Sequence, residues 1–312
     1  MSPPQPLLVK LSGKQNEQDQ EQTRRKELVE EYCKNKSSSN MLSRRIPMGN
    51  FFVSDRYKVL YCKVGKTGST TTSALLYNLE FGTNSNEEEY WKHQATAPMK
   101  RLTSYTKDEQ RLRLNTYRKL VVARNPLERL VSDYLFFFGG KEHFVSNGRQ
   151  VRDNMKYQDM LETIGWNAST TKLPYDEDYG FFKSKNGTYH LVPFLAFIRA
   201  VTDDTDRWQN NEHWALVSDY CPLCQVQFDF IAHTETLATD LNTFFRNVVG
   251  VKGKENIFPR AKERQGKKKI LDVYREIPLK EIQRIERKYK PDFDVFGYSA
   301  EKTILQLLQL TK

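Results

Sequence analysis

The chain has 312 residues, of which 38% are hydrophobic, 28% charged and 12% aromatic. This length can bury the core of one large or two modest domains, and the aromatic content excludes wholesale disorder. The formal net charge is +10 and the pI is near 9.2, so we expect an acidic partner: nucleic acid, anionic lipid, a nucleotide or an acidic polysaccharide.

The first 45 residues are polar and rich in Gln, Glu, Lys and Ser. We interpret residues 1–45 as a tail or stem, with a solvated helix near 15–31, and residues 46–312 as the catalytic domain. The sequence contains no apolar run of about 18 residues and begins without the apolar core of a signal peptide. It therefore predicts neither a transmembrane helix nor a targeting segment.

The first candidate motif follows a predicted buried strand at 58–64, which is apolar and β-branched. The strand runs into a glycine turn, Gly65-Lys66-Thr67-Gly68-Ser69-Thr70, and residues 71–79 then have helical apolar spacing. Backbone N–H groups at a helix N-terminus favour an anion, and Lys66 adds a positive charge. The pattern indicates a phosphate site, although Leu60 replaces the first glycine of a full Walker A loop. The alternative is an ordinary turn with a helix cap.

The second candidate motif follows a predicted helix at 108–117 and a predicted strand at 119–123. The strand runs into Arg124-Asn125-Pro126, where Asn125 suits a helix cap and Pro126 the first helical position. Ligands of open α/β sheets bind outside the carboxyl ends of the strands, which makes Arg124, with Ser132 on the helix to about 137, a candidate anion contact. Taken alone, Arg124 and Arg129 would be interpreted as structural arginines that hold a carboxylate.

The order of elements predicts an α/β fold with a central parallel sheet flanked by helices. Further helices are predicted at 234–249 and 279–289, whereas 139–206 is turn-rich and aromatic. Two strand ends with cationic and hydroxyl groups suggest a ligand with phosphates at both ends. A magnesium-dependent P-loop kinase is disfavoured, because the strand at 119–123 runs into arginine rather than aspartate.

The four cysteines are Cys33, Cys62, Cys221 and Cys224. The Cys221-Pro-Leu-Cys224 segment lacks the second pair or the well-spaced histidines of a zinc site, so a disulfide or two unreactive thiols is expected. Three N-x-S/T sequons, at Asn35, Asn167 and Asn186, are a mild indication of the secretory pathway.

Several segments resemble the Golgi carbohydrate sulfotransferases. Residues 61–70 resemble their 5′-phosphosulfate loop and residues 122–134 their 3′-phosphate motif. The block at 211–237, which contains Asn211-Glu-His-Trp214, and the segment at 289–298 resemble the branch that includes the chondroitin, dermatan and HNK-1 sulfotransferases. The likeness runs in order along most of the chain and implies the P-loop-like sulfotransferase fold.

The resemblance implies transfer of a sulfuryl group from the donor PAPS (3′-phosphoadenosine 5′-phosphosulfate) to a glycan hydroxyl, without a metal. Lys66 resembles the lysine that contacts the 5′-phosphosulfate and its bridging oxygen. Arg124 and Ser132 resemble the pair that holds the 3′-phosphate. Gly65 stands where the family commonly has proline, and the next turn residues also differ, which implies a looser turn.

The acceptor hydroxyl must lose a proton, so a general base is needed near it. The available histidines are His93, His143, His190, His213 and His233. We choose His93, because it lies between the first strand–helix unit and the second strand, where related sulfotransferases place a base. A surface or packing role is the alternative for His93. His213 is the next candidate, and Glu212 and Glu235 are weaker ones, since an exposed, ionised glutamate matches a hydroxyl proton poorly.

The favoured acceptor is a chondroitin-type glycosaminoglycan, from the block at 211–237 and the basic charge. The basic run at 262–269 and the pair Lys100-Arg101 are candidate contacts to a polyanion or the nucleotide, or solvated surface. Nucleic acid is not expected, since no recognition motif is found. The alternatives are a P-loop nucleotide kinase and a non-catalytic binder of an acidic polymer, either glycan or nucleic acid.

The resemblance places the protein in the Golgi lumen or at the Golgi membrane. Family members usually carry a membrane anchor, whereas this chain has none, so we expect a truncated form, a fragment or a soluble form. In an oxidising compartment Cys221 and Cys224 are expected to close a small disulfide loop.

Overall fold

The computed structural model describes residues 7–36, 46–138, 181–184, 187–190, 192–203, 211–254, 257–259, 273–275 and 277–309. His143, the sequons at Asn167 and Asn186, the basic run at 262–269 and the side chain of His190 lie outside the described part. Among the described residues, no helix has the length and apolar character needed to cross a membrane. The chain forms two compact units: Met1–Arg124, Val217–Lys262 and Asp294–Tyr298 make unit 1, and Asn125–Leu216, Glu263–Phe293 and Ser299–Lys312 make unit 2.

The helices and strands are numbered in chain order. The helices are α1 (Leu7–Lys36), α2 (Ser69–Phe81), α3 (Glu87–Thr96), α4 (Lys107–Thr116), α5 (Pro126–Phe138), α6 (Phe194–Val201), α7 (Val217–Tyr220), α8 (Leu237–Thr243), α9 (Leu279–Val295) and α10 (Ala300–Gln309). The strands are β1 (Phe51–Ser54), β2 (Val59–Cys62), β3 (Arg118–Ala123), β4 (Phe181–Ser184), β5 (Gly187–His190) and β6 (Phe230–His233).

The main sheet belongs to unit 1 and has the strand order β1-β2-β3-β6. Strands β2, β3 and β6 run parallel, whereas β1 pairs antiparallel with β2. All residues of β2 and β6 are buried, as expected for strands covered on both faces. The predicted α/β fold with a parallel sheet is therefore confirmed. Its two outer strands, β1 and β6, are four residues each and were not predicted.

The predicted helices at 71–79, 108–117, 127–137 and 279–289 correspond to α2, α4, α5 and α9. The region at 234–249 is less regular than predicted. It begins with a 3₁₀ turn at Thr234–Thr236, continues as α8 and ends as a π-helix at Phe244–Val248. Asn125 caps α5 as predicted, since its side chain accepts a hydrogen bond from the N–H of Leu127 at 3.0 Å.

Alternating side chains of the sheet enter two separate cores. On one face, Tyr61 and Val122 pack with Leu76 of α2. On the other face, Cys62 and Val121 join a second apolar cluster. Both faces of the parallel strands are thus covered, which fixes the strand ends in position.

The outer edge of β6 is hydrogen-bonded by side chains of α1 and α8. The amide of Gln22 both donates to the carbonyl of Ile231 (Nε2–O 3.0 Å) and accepts from its N–H (N–Oε1 3.1 Å). Arg25 donates to the same carbonyl at 2.7 Å, and the His233 N–H donates to Asp240 at 2.8 Å. Because these contacts satisfy main-chain groups that an edge strand leaves unpaired, α1 completes the sheet.

The N-terminal helix is therefore different from the solvated helix expected near 15–31. A helix is present, but Gln22 and Arg25 are buried in it. The expectation failed because these polar side chains form hydrogen bonds with the main chain of β6. The helical spacing of residues does not show that a strand edge lies beside the helix. The boundary between a tail at 1–45 and a catalytic domain at 46–312 stays a prediction.

The disulfides join Cys33 to Cys224 and Cys62 to Cys221, with Cα–Cα distances of 5.3 and 6.1 Å. The expected small loop between Cys221 and Cys224 is therefore wrong. Cys62 of β2 bonds to Cys221, and Cys33 of α1 bonds to Cys224. Both bridges lie within unit 1, and the first ties α1 covalently to it.

Unit 2 is built around aromatic side chains of α5 and α6. Tyr134 packs against Phe194 and Phe197, with ring centroids 4.9 and 5.9 Å apart, and its hydroxyl donates to the carbonyl of Val192 at 3.0 Å. The buried Glu281 of α9 accepts a hydrogen bond from Arg199 of α6 at 3.0 Å. Strands β4 and β5 form a separate antiparallel pair.

Replacing Arg25 by Ala should lower the free energy of unfolding by about 3 kcal/mol, because it leaves the buried Asp240 carboxylate without its cation. Arg24→Ala is the matched control, since Arg24 pairs with Glu21 at the surface and should change stability by less than about 1 kcal/mol. Urea unfolding with the disulfides intact measures both. Equal losses of stability in the two variants would contradict the conclusion that Arg25 holds α1 against β6 and α8.

Candidate functional site

The predicted glycine turn connects β2 to α2 in unit 1. Lys66 and Gly68 both have left-handed φ angles, 61° and 72°, and the buried Thr67 hydroxyl donates to the carbonyl of Val64 at 3.0 Å. A lysine seldom adopts this conformation, so surrounding contacts must hold it there. Left-handed residues turn neighbouring N–H groups toward one side, which forms a concavity suited to an anion.

The turn ends at the N-terminus of α2. Gly68 is the cap residue, and it supplies no side-chain hydrogen bond to the first helical N–H groups. Its carbonyl accepts from both the N–H and the hydroxyl of Thr72 at 3.0 Å, which fixes the first turn of the helix. The first N–H groups of a helix have no intrahelical acceptor, and the helix dipole favours negative charge there. Ser69 and Thr70 add hydroxyl groups to the same turn.

Arg124 ties this turn to the end of the neighbouring strand. Its guanidinium donates from Nη1 to the carbonyl of Lys66 at 3.1 Å. Strands β2 and β3 are parallel, with Cys62 opposite Val121, so the residues that follow them emerge at one edge of the sheet. The structure therefore brings Lys66 and Arg124 into contact at this edge.

The third parallel strand also contributes to this edge, which sequence reasoning missed because β6 was not predicted. A Cβ atom placed on Gly68 would lie 2.5 Å from Cδ2 of Leu237, the first residue of α8. The segment that follows β6 thus packs directly against the glycine turn. The C-terminal end of the block at 211–237 therefore supplies this wall.

His233 ends β6 and serves packing. Burial, and next the charge of Arg25, lower the pKa of His233 to about 3, so the ring is neutral at physiological pH. The ring stacks on Tyr298, with centroids 4.9 Å apart. The Tyr298 hydroxyl in turn donates a hydrogen bond to the carboxylate of Glu235 at 2.8 Å. Glu235 is one of the weaker base candidates.

His93, the predicted base, lies on α3 in an exposed position. Its ring stacks on Tyr77 of α2, with centroids 5.9 Å apart. Tyr77 lies two helical turns beyond Gly68, well into the body of α2. The role of His93 as general base stays a prediction.

Glu87, the first residue of α3, lies beside the first turn of α2. Its carboxylate accepts a hydrogen bond from the hydroxyl of Thr71, in the first turn of α2, at 2.6 Å. Thr71 precedes Tyr77 by about 9 Å along the axis of α2, at about 1.5 Å per residue. Sequence reasoning missed Glu87, although the Asn86-x-x-Glu89 capping box would have located the start of α3.

The part of the second motif that lies in unit 2 has one half-buried and one buried polar side chain, Ser132 and Arg129. Ser132 is half-buried on α5, and its role at a 3′-phosphate stays a prediction. Arg129 is buried and donates to the carbonyls of Ala215 and Glu212 at 2.6 and 2.8 Å. Arg129 is therefore structural, although it holds main-chain carbonyls rather than the expected carboxylate.

The block around Asn211 is the other half of this structural contact. The carbonyl of Trp214 accepts a hydrogen bond from the buried Tyr289 hydroxyl at 2.6 Å. His213 packs edge-to-face on Phe137, with centroids 4.7 Å apart, and its Nδ1 lies 3.4 Å from Asp133. This environment agrees with packing, which leaves His213 a weak base candidate.

The basic pair before the 3₁₀ turn at 102–104 also has structural contacts. Arg101 donates to the carbonyl of Gly49 at 2.6 Å and lies over the ring of Phe52. Lys100 is exposed, and its ammonium group lies 5.6 Å from the ring centroid of Tyr105. Arg101 thus helps to anchor the β1 edge.

The fold and this site define an α/β protein that presents a glycine turn, braced by an arginine and suited to an anion, at the carboxyl edge of its sheet. Residues 49–299 match the sulfotransferase family, and the chain belongs to that family.

Curated relatives are similar along most of the chain. Carbohydrate sulfotransferase 10 of Xenopus laevis is 26% identical over 299 residues, which cover 90% of this chain and 77% of the relative. Carbohydrate sulfotransferase 9 of Homo sapiens is 29% identical over 301 residues, covering 93% and 61%. Carbohydrate sulfotransferase 10 of Mus musculus is 25% identical over 321 residues, covering 97% and 82%. No solved structure matches the chain.

Gly68→Ala should destabilise the protein more than Gly250→Ala. Both glycines have left-handed φ angles, which cost an added side chain about 1–2 kcal/mol, but only at Gly68 does the new Cβ meet a neighbour, Leu237. Chemical unfolding of both variants measures the difference. The double variant Gly68→Ala with Leu237→Ala should lose less stability than the sum of the losses in the two single variants. Additive losses would exclude the clash.

Proposed function

We propose that this protein is a PAPS-dependent carbohydrate O-sulfotransferase, which transfers a sulfuryl group to a hydroxyl of a glycan. The observation that carries the proposal is the left-handed turn at the N-terminus of α2, held by Arg124 at the end of the next parallel strand. Membership of the sulfotransferase family supports the reaction class. The names of the relatives, which are carbohydrate sulfotransferases, support the acceptor class.

The turn from Gly65 to Thr70 would bind the 5′-phosphosulfate of PAPS. Main-chain N–H groups at the start of α2 suit its phosphate and sulfuryl oxygens, and Lys66 supplies a full positive charge. Arg124 adds a second cation at the same sheet edge. The sequence motif also gives Arg124, together with Ser132, the role of holding the 3′-phosphate.

The transfer is a direct in-line displacement at sulfur. The acceptor oxygen forms a bond to sulfur as the bond between sulfur and the bridging oxygen breaks, and the electron pair stays on the phosphate oxygen of the product PAP (3′-phosphoadenosine 5′-phosphate). Lys66 and the N–H groups of the turn would stabilise this growing negative charge, as donors of an oxyanion hole do. No step of this displacement requires a protein nucleophile.

The acceptor is proposed to be a chondroitin-type glycosaminoglycan. Support comes from the resemblance of the block at 211–237 and from a net charge of +10, which attracts a polyanion. The resemblance also supports a location in the Golgi lumen or at the Golgi membrane. The disulfides Cys33–Cys224 and Cys62–Cys221 suit such an oxidising compartment.

Lys66→Asn should lower kcat by about 10²–10³-fold, because it removes the charge that stabilises the leaving group. Asparagine tolerates a left-handed φ well, so the turn should keep its shape. Lys58→Asn is the matched control, since Lys58 also has a left-handed φ, 55°, but lies in the turn between β1 and β2. The measurement is transfer of radiolabelled sulfate from PAPS to a panel of desulfated glycans, with desulfated chondroitin expected to be the best acceptor.

Arg124→Ala should weaken the binding of PAP at least tenfold in calorimetry, as expected for loss of a charged hydrogen-bond partner. Failure of the wild-type protein both to bind PAP and to transfer sulfate to any glycan would refute the proposal. Phosphoryl transfer from ATP would then favour the kinase alternative. PAP binding without any transfer would instead identify a non-catalytic glycan binder.

A further inference from the structure

Helix α3 is fixed firmly beside the first helix of the site. Its N-terminus carries a complete capping box, in which Asn86 accepts from the N–H of Glu89 and Glu89 accepts from the N–H of Asn86. Tyr90 is buried and packs edge-to-face on Tyr77 of α2, with centroids 5.7 Å apart. The exposed side chains of α3 therefore have defined positions relative to α2.

The first turn of α3 contains three adjacent glutamates, and two of them have other partners. Glu89 belongs to the capping box, and Glu88 forms an exposed ion pair with Lys92 at 2.8 Å. Glu87 alone of the three contacts α2, through the hydroxyl of Thr71. Thr71 follows the residues whose N–H groups would bind the phosphosulfate, so this carboxylate lies at the donor end of α2.

An exposed indole lies on the same face of α3 as Glu87. Trp91 follows Glu87 by four residues, a spacing that places two side chains on one helical face. Its side chain is 53% exposed, although tryptophan usually buries most of its surface. Its ring packs at a tilt against Tyr90, with centroids 5.1 Å apart and an interplanar angle of 55°. A flat, exposed aromatic surface of this kind suits the apolar face of a sugar ring.

We propose that α3 forms the acceptor side of the reaction site, where Glu87 accepts the proton of the attacking hydroxyl and Trp91 supports the sugar ring. This inference rests on the proposed sulfotransferase function and adds the acceptor contacts to it. The class of ligand is a glycan that presents one sugar ring to the indole and a hydroxyl to the carboxylate.

The proton and the electrons balance in this arrangement. The hydroxyl oxygen bonds to sulfur, its proton moves to the Glu87 carboxylate, and the electron pair of the broken bond stays on the bridging oxygen beside Lys66. The hydroxyl becomes more acidic as its oxygen bonds to sulfur, so a carboxylate can accept the proton.

His93 is less well placed for the same role. It contacts α2 at Tyr77, about 9 Å along the helix from Thr71, whereas Glu87 contacts Thr71 itself. The two candidates on α3 can be separated by experiment.

Glu87→Gln tests the base, because the amide oxygen can still accept from Thr71 while the side chain no longer takes a proton. We expect kcat to fall about 10²–10⁴-fold, with the glycan KM and the PAP Kd within about threefold of wild type. Glu88→Gln is the matched control and should leave kcat unchanged. Wild-type kcat in Glu87→Gln, or the large loss in His93→Gln instead, overturns the assignment.

Trp91→Ala tests the sugar platform. We expect the glycan KM to rise about tenfold while kcat and the PAP Kd stay within about threefold. Leu112→Ala removes an equally exposed apolar side chain from α4 and should leave the glycan KM unchanged. An unchanged glycan KM in Trp91→Ala overturns the platform. Failure of the wild-type protein to bind PAP or transfer sulfate would refute the underlying function, whereas normal wild-type transfer with unaffected variants would refute only the role of α3.

Discussion

The hydrogen bond from Arg124 to the carbonyl of Lys66 is the contact on which the site depends. It joins the residues that leave two parallel strands and holds a lysine in a left-handed conformation that the residue does not favour on its own. The buried Thr67 hydroxyl holds the inner side of the same turn through the carbonyl of Val64. An anion site of this kind is a property of the main chain, and Arg124 gives it both rigidity and charge.

The edge of the sheet extends this support to the other side of the turn. Arg25 of α1 and the His233 N–H both contact Asp240 of α8, and α8 begins at Leu237, which packs against Gly68. The N-terminal helix therefore supports the segment that packs against the glycine turn. The disulfide between Cys33 and Cys224 holds the same helix covalently. Helix α1, whose sequence is polar, thus belongs to the framework that supports the glycine turn.

The second motif shows how one run of sequence serves two purposes. Arg124 and Arg129 are of the same type and lie close in sequence, yet Arg124 braces the glycine turn and Arg129 is buried on main-chain carbonyls. A buried guanidinium needs several acceptors, and the carbonyls of Glu212 and Ala215 provide them. The block around Asn211 is thus distinctive at least partly because it completes this contact.

The sequence by itself determined the central strands, the long helices and the anion-binding turn, because each depends on local spacing of apolar residues, glycine and capping groups. It also indicated that Lys66 and Arg124 each follow a strand of the parallel sheet, and the structure shows their direct contact. Only the tertiary structure decided the edge strands, the disulfide partners and the proximity of Glu87 to Thr71. These depend on contacts between residues far apart in the chain: four-residue strands such as β6 carry little pattern, and a cysteine spacing does not encode which element will lie opposite. Side chains such as Gln22 and Arg25 read as solvent-exposed until a strand edge is placed beside them.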